Sequence, residues 1–141
     1  MGSSPYVHGS CVAIGGRAVL LTGPSGFGKS DLALRLIDRG AMLVADDYVA
    51  LSCDGDRLIA APPPRIAGLL EVRAVGLVRL PYLRRAPVAL VVDLGVEDER
   101  LPESHWWLHG GSKVPSVWID AMRDDAPLKV EIALCDIRLP L

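Results

Sequence analysis

The sequence lacks the features that mark membrane, secreted and nucleic-acid-binding proteins. No apolar run approaches the roughly 20 residues that a transmembrane helix requires, and the start MGSSPY has neither the basic nor the apolar region of a signal peptide. The formal net charge of −2 offers no basic surface to a nucleic acid. We therefore expect neither a membrane nor a nucleic acid as a partner.

Cysteine is scarce, and its number is odd. The three cysteines, Cys11, Cys53 and Cys135, do not have the spacing of a metal site. They fit small buried residues in a reducing compartment better than a disulfide framework. This pattern predicts a cytoplasmic protein.

The chain does have the composition of a single globular domain. Its 141 residues are 50% hydrophobic and 23% charged, and the sequence contains no internal repeat or low-complexity linker. This length is enough to bury a core. We expect one domain that spans residues 1–141.

The first part of the chain predicts a strand, a helix and a second strand. CVAI and AVLLT are short apolar runs separated by Gly15-Gly16, which predicts a tight hairpin with Ile14 facing Arg17. The same register places His8 opposite Gly23. KSDLALRLIDRG has the apolar spacing of a helix that ends at Gly40. AMLVADD then predicts a buried strand parallel to the strand before the helix.

The second part of the chain is less regular. YVALSCDGDRLIAAPPP predicts a hairpin that turns near Asp54-Gly55 and stops at the prolines, and PVALVVDLG predicts a buried strand. HWWLH predicts an exposed loop in preference to a metal-binding histidine pair, and a short strand is expected about Trp118. DDAPLKVEIALCD favours a helix, although its alternating apolar residues leave a strand open.

GPSGFGKS matches the phosphate-loop pattern G-x-x-x-x-G-K-[ST] between the predicted strand and helix. Backbone amides of such a loop and the start of its helix attract phosphate, the lysine neutralises it, and the serine hydroxyl suits magnesium. The pattern therefore predicts a bound nucleotide with Mg²⁺. The predicted nucleotide-binding residues are Gly23, Pro24, Ser25, Gly26, Phe27, Gly28, Lys29 and Ser30.

Asp46 and Asp47 follow the next strand and are expected at the same edge of the sheet as the phosphate loop. Neighbouring strand residues point to opposite faces, so the two should differ in role. One is expected to help hold magnesium and the other to accept the proton of an attacking hydroxyl. The alternative is that one of them only caps the following turn.

Four further features have both a functional and a structural interpretation. His8 either contacts a transferred phosphoryl group or decorates a hairpin. Glu71 is either a magnesium ligand or the partner of Arg73 in an ion pair. Arg100 either stabilises charge on a moving phosphoryl group or is solvated. Trp106 and Trp107 either form a contact surface or fold back on the core.

The run HGSCVAIGGRAVLLTGPSGFGKSDLALRLIDRGAMLVADDYVAL, followed by LLEVRAVGL, resembles the catalytic domain of the HPr kinase/phosphorylase family. The resemblance joins a histidine before the loop, the phosphate loop, an aspartate pair and a Glu-x-Arg signature. It implies an α/β fold, P-loop-containing and phosphoenolpyruvate-carboxykinase-like, with a mixed central sheet. It also implies a single catalytic kinase domain without the N-terminal domain of longer members.

The activity that the resemblance implies is phosphorylation of a serine of HPr, a small phosphocarrier protein, by ATP or pyrophosphate with Mg²⁺. Homo-oligomers, hexamers in the family, are expected. His8, Lys29, Asp47 and Arg100 match the catalytic positions, with Asp47 accepting the serine proton. Ser30 and Glu71 match the magnesium ligands, which Asp46 would assist.

The family also removes the phosphate with inorganic phosphate as acceptor, but its PVRPGR-type loop has no counterpart in KVPSVWIDAMRDD. The residues of the kinase reaction are complete, and the reverse reaction is left open. Two alternatives stay open, a small-molecule kinase and a non-catalytic nucleotide sensor.

Overall fold

The computed structural model describes residues 5–95 and 105–135, and for His105 the backbone only. Within these ranges the chain forms a mixed α/β fold, as predicted. The helices are α1 (Lys29–Asp38) and α2 (Ala126–Cys135). The strands before residue 62 are β1 (Tyr6–His8), β2 (Ser10–Ile14), β3 (Arg17–Thr22), β4 (Met42–Ala45), β5 (Tyr48–Asp54) and β6 (Arg57–Ala61). The later strands are β7 (Leu69–Val72), β8 (Gly76–Arg79), β9 (Ala86–Asp93), β10 (His105–His109) and β11 (Ser112–Trp118).

Within the described ranges nine of these strands form one sheet, and β7 and β8 form a separate pair. The main path of the sheet runs β1-β5-β6-β9-β3-β2-β4, and β11 joins β9 with β10 at its outer side. Successive residues of β3 are buried on opposite faces. Val19 and Leu21 pack with both helices, whereas Ala18 and Leu20 pack with β5 and β6. A strand buried on both faces needs the continuous apolar run that its sequence shows.

The hairpin between β2 and β3 has the predicted register. Ile14 pairs with Arg17, and both glycines between them have positive φ angles, 59° at Gly15 and 82° at Gly16. Such angles are costly for other residues. The glycine pair therefore sets the register that aligns β2 with the strand before the phosphate loop.

The register does not extend to His8, and the prediction that it faces Gly23 is wrong. The ladder with β3 ends at Ser10, and the chain bends at Gly9, whose amide donates to the Asp47 carbonyl at 3.0 Å. His8 lies in β1 and pairs with Tyr48 of β5. A Cβ atom at Gly9 would lie 2.6 Å from the Leu21 carbonyl oxygen, so this close bend requires glycine.

The unit β3, α1 and β4 forms as predicted, with one strand inserted. Helix α1 buries Leu32, Ala33 and Leu36 and ends at Asp38, and Gly40, two residues later, has φ 111°. The amide of Ala41 donates to the Leu36 carbonyl across this turn. β4 pairs antiparallel with β2, which is itself antiparallel to β3, so β4 runs parallel to β3 without pairing with it. This places the ends of β3 and β4 at the same edge of the sheet.

Three neighbouring strands are parallel and end in register. Thr22 at the end of β3 pairs with Asp93 of β9, and Asp93 pairs with Trp118 of β11. The loops that follow these strands therefore share one edge of the sheet, which we call the loop edge. In open α/β sheets this is the edge where ligands bind.

The structure corrects two predictions for the second part of the chain. HWWLH is not a loop but strand β10, joined to β11 by a turn at Gly110 and Gly111 with φ angles of 55° and 85°. Of the cysteines, Cys11 is buried as expected, and burial raises the pKa of its thiol, but Cys53 and Cys135 are exposed. The predicted hairpin β5–β6, the strand β9 and the terminal helix α2 are confirmed.

No helix in the described ranges is both long and apolar enough to span a membrane.

Candidate active site

The phosphate loop lies at the loop edge between β3 and α1, where the motif predicted it. Gly28 adopts a left-handed conformation, with φ 88°, directly before the helix. The Lys29 side chain is folded back over the loop, where Nζ donates to the carbonyl oxygens of Gly23 at 2.7 Å and Pro24 at 3.0 Å. Burial lowers the pKa of Lys29, and the charges of Asp46 and Asp47 oppose this shift. Bound phosphate would favour the charged form.

Beside the loop is a cavity of about 460 Å³, which we call the polar cavity. Most of the predicted site residues line it. Those with functional side chains are His8, Lys29, Ser30, Asp46, Asp47 and Glu71. Residues from β1, α1, β7 and the turn after β4 thus meet in one place. Although the predicted register is wrong, His8 still lines the cavity beside the phosphate loop. It does so because β1 pairs with β5, whose first residue follows Asp47.

Asp46 is the buried member of the aspartate pair, only 5% exposed. Its Oδ1 accepts hydrogen bonds from the hydroxyls of Ser10 at 2.6 Å and Ser30 at 2.8 Å. Its Oδ2 accepts the backbone amide of Glu71 at 3.1 Å. Three donors on a buried carboxylate fix its orientation. Asp46 is therefore placed to hold the serine hydroxyl at the start of α1.

Asp47 is the exposed member of the pair, and it occupies a left-handed conformation with φ 69°. Its Oδ1 lies 3.6 Å from Nε2 of His8, and the His8 ring stands edge-on to Tyr48. The tight turn after β4 turns the Asp47 side chain into the polar cavity, where a substrate can reach it. The two aspartates thus differ in environment, as expected from their adjacent positions.

Glu71 and Arg73 also line the polar cavity, but they do not share a strand face. Glu71 belongs to β7, whereas Arg73 lies in the turn to β8, where Ala74 has φ 68°. Within the described residues Glu71 and Arg73 form no ion pair, so the structural alternative for Glu71 is not supported. The side chain of Glu71 remains available to a ligand.

The oxygen groups in the polar cavity suit magnesium. The Ser30 hydroxyl and the Asp46 carboxylate are already within 2.8 Å of each other, and the Glu71 carboxylate lines the same cavity. Mg²⁺ typically uses one or two carboxylates together with water and substrate phosphates. The described residues contain no group of three His, Cys, Asp or Glu side chains that would hold a metal by themselves. The donor set therefore fits an ion that arrives with a phosphate ligand.

A second cavity of about 400 Å³ lies on the other side of the phosphate loop, and we call it the aromatic cavity. Phe27, Leu94, Trp118, Asp120 and Met122 line it, and Gly26 and Met122 also line the polar cavity. The Trp118 Nε1–H donates to the Gly95 carbonyl at 2.8 Å. The indole ring is therefore held in one orientation at the loop edge.

Some predicted residues lie away from this centre. Arg100 falls outside the described residues. His109 stacks on Trp107, and Trp107 packs against the core, whereas Trp106 is half exposed beneath the Lys113 ammonium. Trp107 therefore folds back on the core, whereas Trp106 is available as part of a contact surface.

Sequence reasoning missed Ser10, Trp118 and Met122. Ser10 was identifiable as a polar residue in an otherwise apolar strand, and it is only 1% exposed. Trp118 was expected in a strand, but its place in a cavity depends on the parallel order of β3, β9 and β11. No local pattern reports that order.

Comparisons with known proteins agree with this geometry. The family model described as HPr Serine kinase C-terminal domain matches residues 1–83. The HPr kinase/phosphorylase of Geobacillus thermodenitrificans (strain NG80-2) is 43% identical over 103 residues, which cover 65% of this chain and 32% of that protein. That of Bacillus cereus (strain B4264) is 41% identical over 102 residues, 67% of this chain and 33% of the relative.

The solved structure of the Hpr(Ser) kinase/phosphatase from Coxiella burnetii superimposes with a TM-score of 0.80 at 26% identity, covering 93% of this chain and 94% of that one. The chain spans about a third of the length of the curated relatives named above. The predicted fold class is confirmed by the structural match.

Proposed function

The chain belongs to the HPr serine kinase C-terminal domain family, and from this premise we propose that it is an ATP- and magnesium-dependent serine kinase of an HPr-type phosphocarrier protein. The observation that carries the proposal is the exposed Asp47 carboxylate in the same cavity as the phosphate loop and Lys29. A carboxylate in this position provides a base for an incoming hydroxyl. Nucleotide binding alone would not need one.

Each residue of the polar cavity has a role in this proposal. The loop amides bind the phosphates, and Lys29 leaves its two carbonyl partners to neutralise them. Ser30, Asp46 and Glu71 would hold the magnesium ion, which would supply charge neutralisation at the phosphates when bound. Asp47 accepts the proton of the serine hydroxyl while the bond from that oxygen to phosphorus forms and the bond to the leaving diphosphate breaks.

His8 is the neighbour that positions Asp47 in this scheme. Its Nε2 is 3.6 Å from the Asp47 carboxylate, slightly longer than a hydrogen bond, and the Tyr48 ring limits its movement. A small rotation of either side chain would close the gap. A role for Arg100 at the transferred phosphoryl group remains a prediction from the family resemblance.

The remaining expectations belong to the same proposal. The donor is ATP, with pyrophosphate as an alternative, and the reverse reaction would return the proton from Asp47 with inorganic phosphate as acceptor. We further propose a homo-oligomer in the cytoplasm, with residues 1–141 forming one catalytic domain.

The experiment that tests the proposal is direct. The purified protein is incubated with Mg²⁺, ATP and an HPr-type carrier, and the carrier is mapped by mass spectrometry. Phosphoserine on the carrier is the expected result, and omission of Mg²⁺ should abolish it. Label on a small metabolite would favour a small-molecule kinase, and nucleotide binding without transfer to either acceptor would favour a sensor.

A further inference from the structure

We propose that the aromatic cavity binds the nucleoside part of the phosphoryl donor, so that this chain prefers a nucleoside triphosphate to pyrophosphate. The inference deepens the proposed function and rests on it, because it requires phosphates in the adjoining loop. What it adds is a binding site for a purine or pyrimidine base and its ribose, built from Phe27, Trp118 and their neighbours.

The position of the cavity follows from the three parallel strands that end in register. The phosphate loop follows β3, Leu94 and Gly95 follow β9, and Asp120 and Met122 follow β11. The cavity therefore lies outside the carboxyl ends of adjacent parallel strands, directly beside the loop. A ligand whose phosphates occupy the loop can extend into it without leaving the loop edge.

The walls of the cavity suit a flat, largely apolar group with a polar rim. Trp118 offers an indole ring fixed by its hydrogen bond to Gly95, and Leu94 forms a buried apolar wall, 2% exposed. Phe27 is 37% exposed in the middle of the phosphate loop. Aromatic faces of this kind stack on any of the nucleotide bases, because every base has a flat π-face. The volume of about 400 Å³ lies within the range of about 300–1,000 Å³ that small-molecule sites occupy.

The opposite cavity is poorly suited to the same group. The polar cavity contains the carboxylates of Asp46, Asp47 and Glu71 and has no aromatic ring other than His8 among its lining residues. The transferred phosphate must face Asp47 there, and the leaving end of the donor must point away from it. Gly26 and Met122 border both cavities, so the phosphate chain can cross the loop between them.

The test uses ADP and pyrophosphate, which share a diphosphate and differ by the adenosine group. Isothermal titration with each ligand in the presence of Mg²⁺ should show that the protein binds ADP at least about fivefold more tightly, as expected when one base stacks on an aromatic ring. Trp118→Leu should remove most of this preference and leave pyrophosphate affinity within about twofold, because no phosphate ligand is lost.

Two matched variants and one measurement without mutation complete the design. Trp106→Leu, at the half-exposed tryptophan of β10, should change neither affinity, and Lys29→Met should weaken both. Intrinsic fluorescence of the unmutated protein should change with ADP and not with pyrophosphate, and the change should persist in Trp106→Leu.

Two results would overturn the inference. They are equal affinities of the unmutated protein for ADP and pyrophosphate, and an equal loss of both ligands in Trp118→Leu. Failure to bind either ligand would instead contradict the proposed function, since the phosphate loop itself would then be inactive.

Discussion

The two cavities that flank the phosphate loop differ in almost every physical property. The polar cavity has four carboxylates, a lysine, an arginine and a histidine, whereas the aromatic cavity has two aromatic rings, two apolar side chains and one carboxylate. Both lie at one edge of the same sheet, and both share Gly26 and Met122. A single loop thus separates a region suited to charge and proton movement from one suited to stacking.

Under the two proposals, a small fold would separate reactivity from recognition. The residues proposed to react lie mainly on the side of β2 and β4, where turns and a bend at Gly9 allow side chains to converge. The surface proposed to bind the nucleoside lies on the side of β9 and β11, whose strand ends are aligned. Predictions about the two sides should therefore separate into effects on transfer and effects on affinity.

The largest expected effect is that of Asp47→Asn on transfer. Loss of a general base lowers the rate by about 10²–10⁴-fold. Because Asp47 forms no hydrogen bond or ion pair with the phosphate loop among the described residues, the affinity for ADP should stay within about threefold, a range that corresponds to less than one typical hydrogen bond. Single-turnover transfer to the carrier and isothermal titration with ADP measure the two quantities.

Asp46→Asn is the matched control for that variant. It alters the buried carboxylate bonded to Ser10, Ser30 and the Glu71 amide, so it should weaken binding of magnesium and nucleotide as well as transfer. Equal losses of ADP affinity in both variants would show that Asp47 also holds the metal. Transfer that survives in Asp47→Asn would show that Asp47 is not the general base.

An intermediate effect is expected for Ser10→Ala, on stability as well as on transfer. The hydroxyl donates at 2.6 Å to a buried carboxylate, and such hydrogen bonds to charged groups contribute about 1.5–3 kcal/mol. Urea unfolding should show a loss in this range. The variant should also require more Mg²⁺ for half-maximal transfer, because Asp46 loses one of the donors that orient it.

Ser10→Thr provides the control, since it restores a hydroxyl at the same position. It should recover most of the magnesium response, which a merely structural defect would not predict. An alanine variant with normal stability and normal Mg²⁺ dependence would show that Ser30 and the Glu71 amide alone position Asp46.

Sequence reasoning succeeded where short-range signals determine the structure. The glycine pair at 15–16 set a hairpin register, Gly40 ended a helix, and the phosphate-loop pattern placed Lys29 and Ser30. The Asp46–Asp47 pair lies beside the phosphate loop, at the predicted edge of the sheet, because the β3–α1–β4 unit returns the chain to that edge. These features depend on backbone conformation and periodicity within a few residues.

The wrong predictions concern segments whose structure depends on pairing with strands that are distant in sequence. The hairpin register was extended to His8, but the chain leaves β3 at Gly9 and pairs with β5, which follows only after α1 and β4. The histidines of HWWLH have no third ligand of suitable spacing, and Gly110-Gly111 follows them, which favours a loop. The place of this segment as β10 becomes evident only beside β11, where the glycine pair at 110–111 forms the turn. Sheet partners of this kind are not encoded locally.

The smallest expected effect is that of Met122→Ala, at the border between the cavities. Met122 is 65% exposed, so its truncation should change the free energy of unfolding by no more than about 0.5 kcal/mol. It should lower ADP affinity by only about two- to threefold, because a partly exposed side chain loses little apolar contact. Thermal unfolding and titration with ADP and pyrophosphate measure these changes. If pyrophosphate affinity falls as much as ADP affinity, Met122 supports the phosphate loop itself, and the two cavities would act as one site rather than as separate regions.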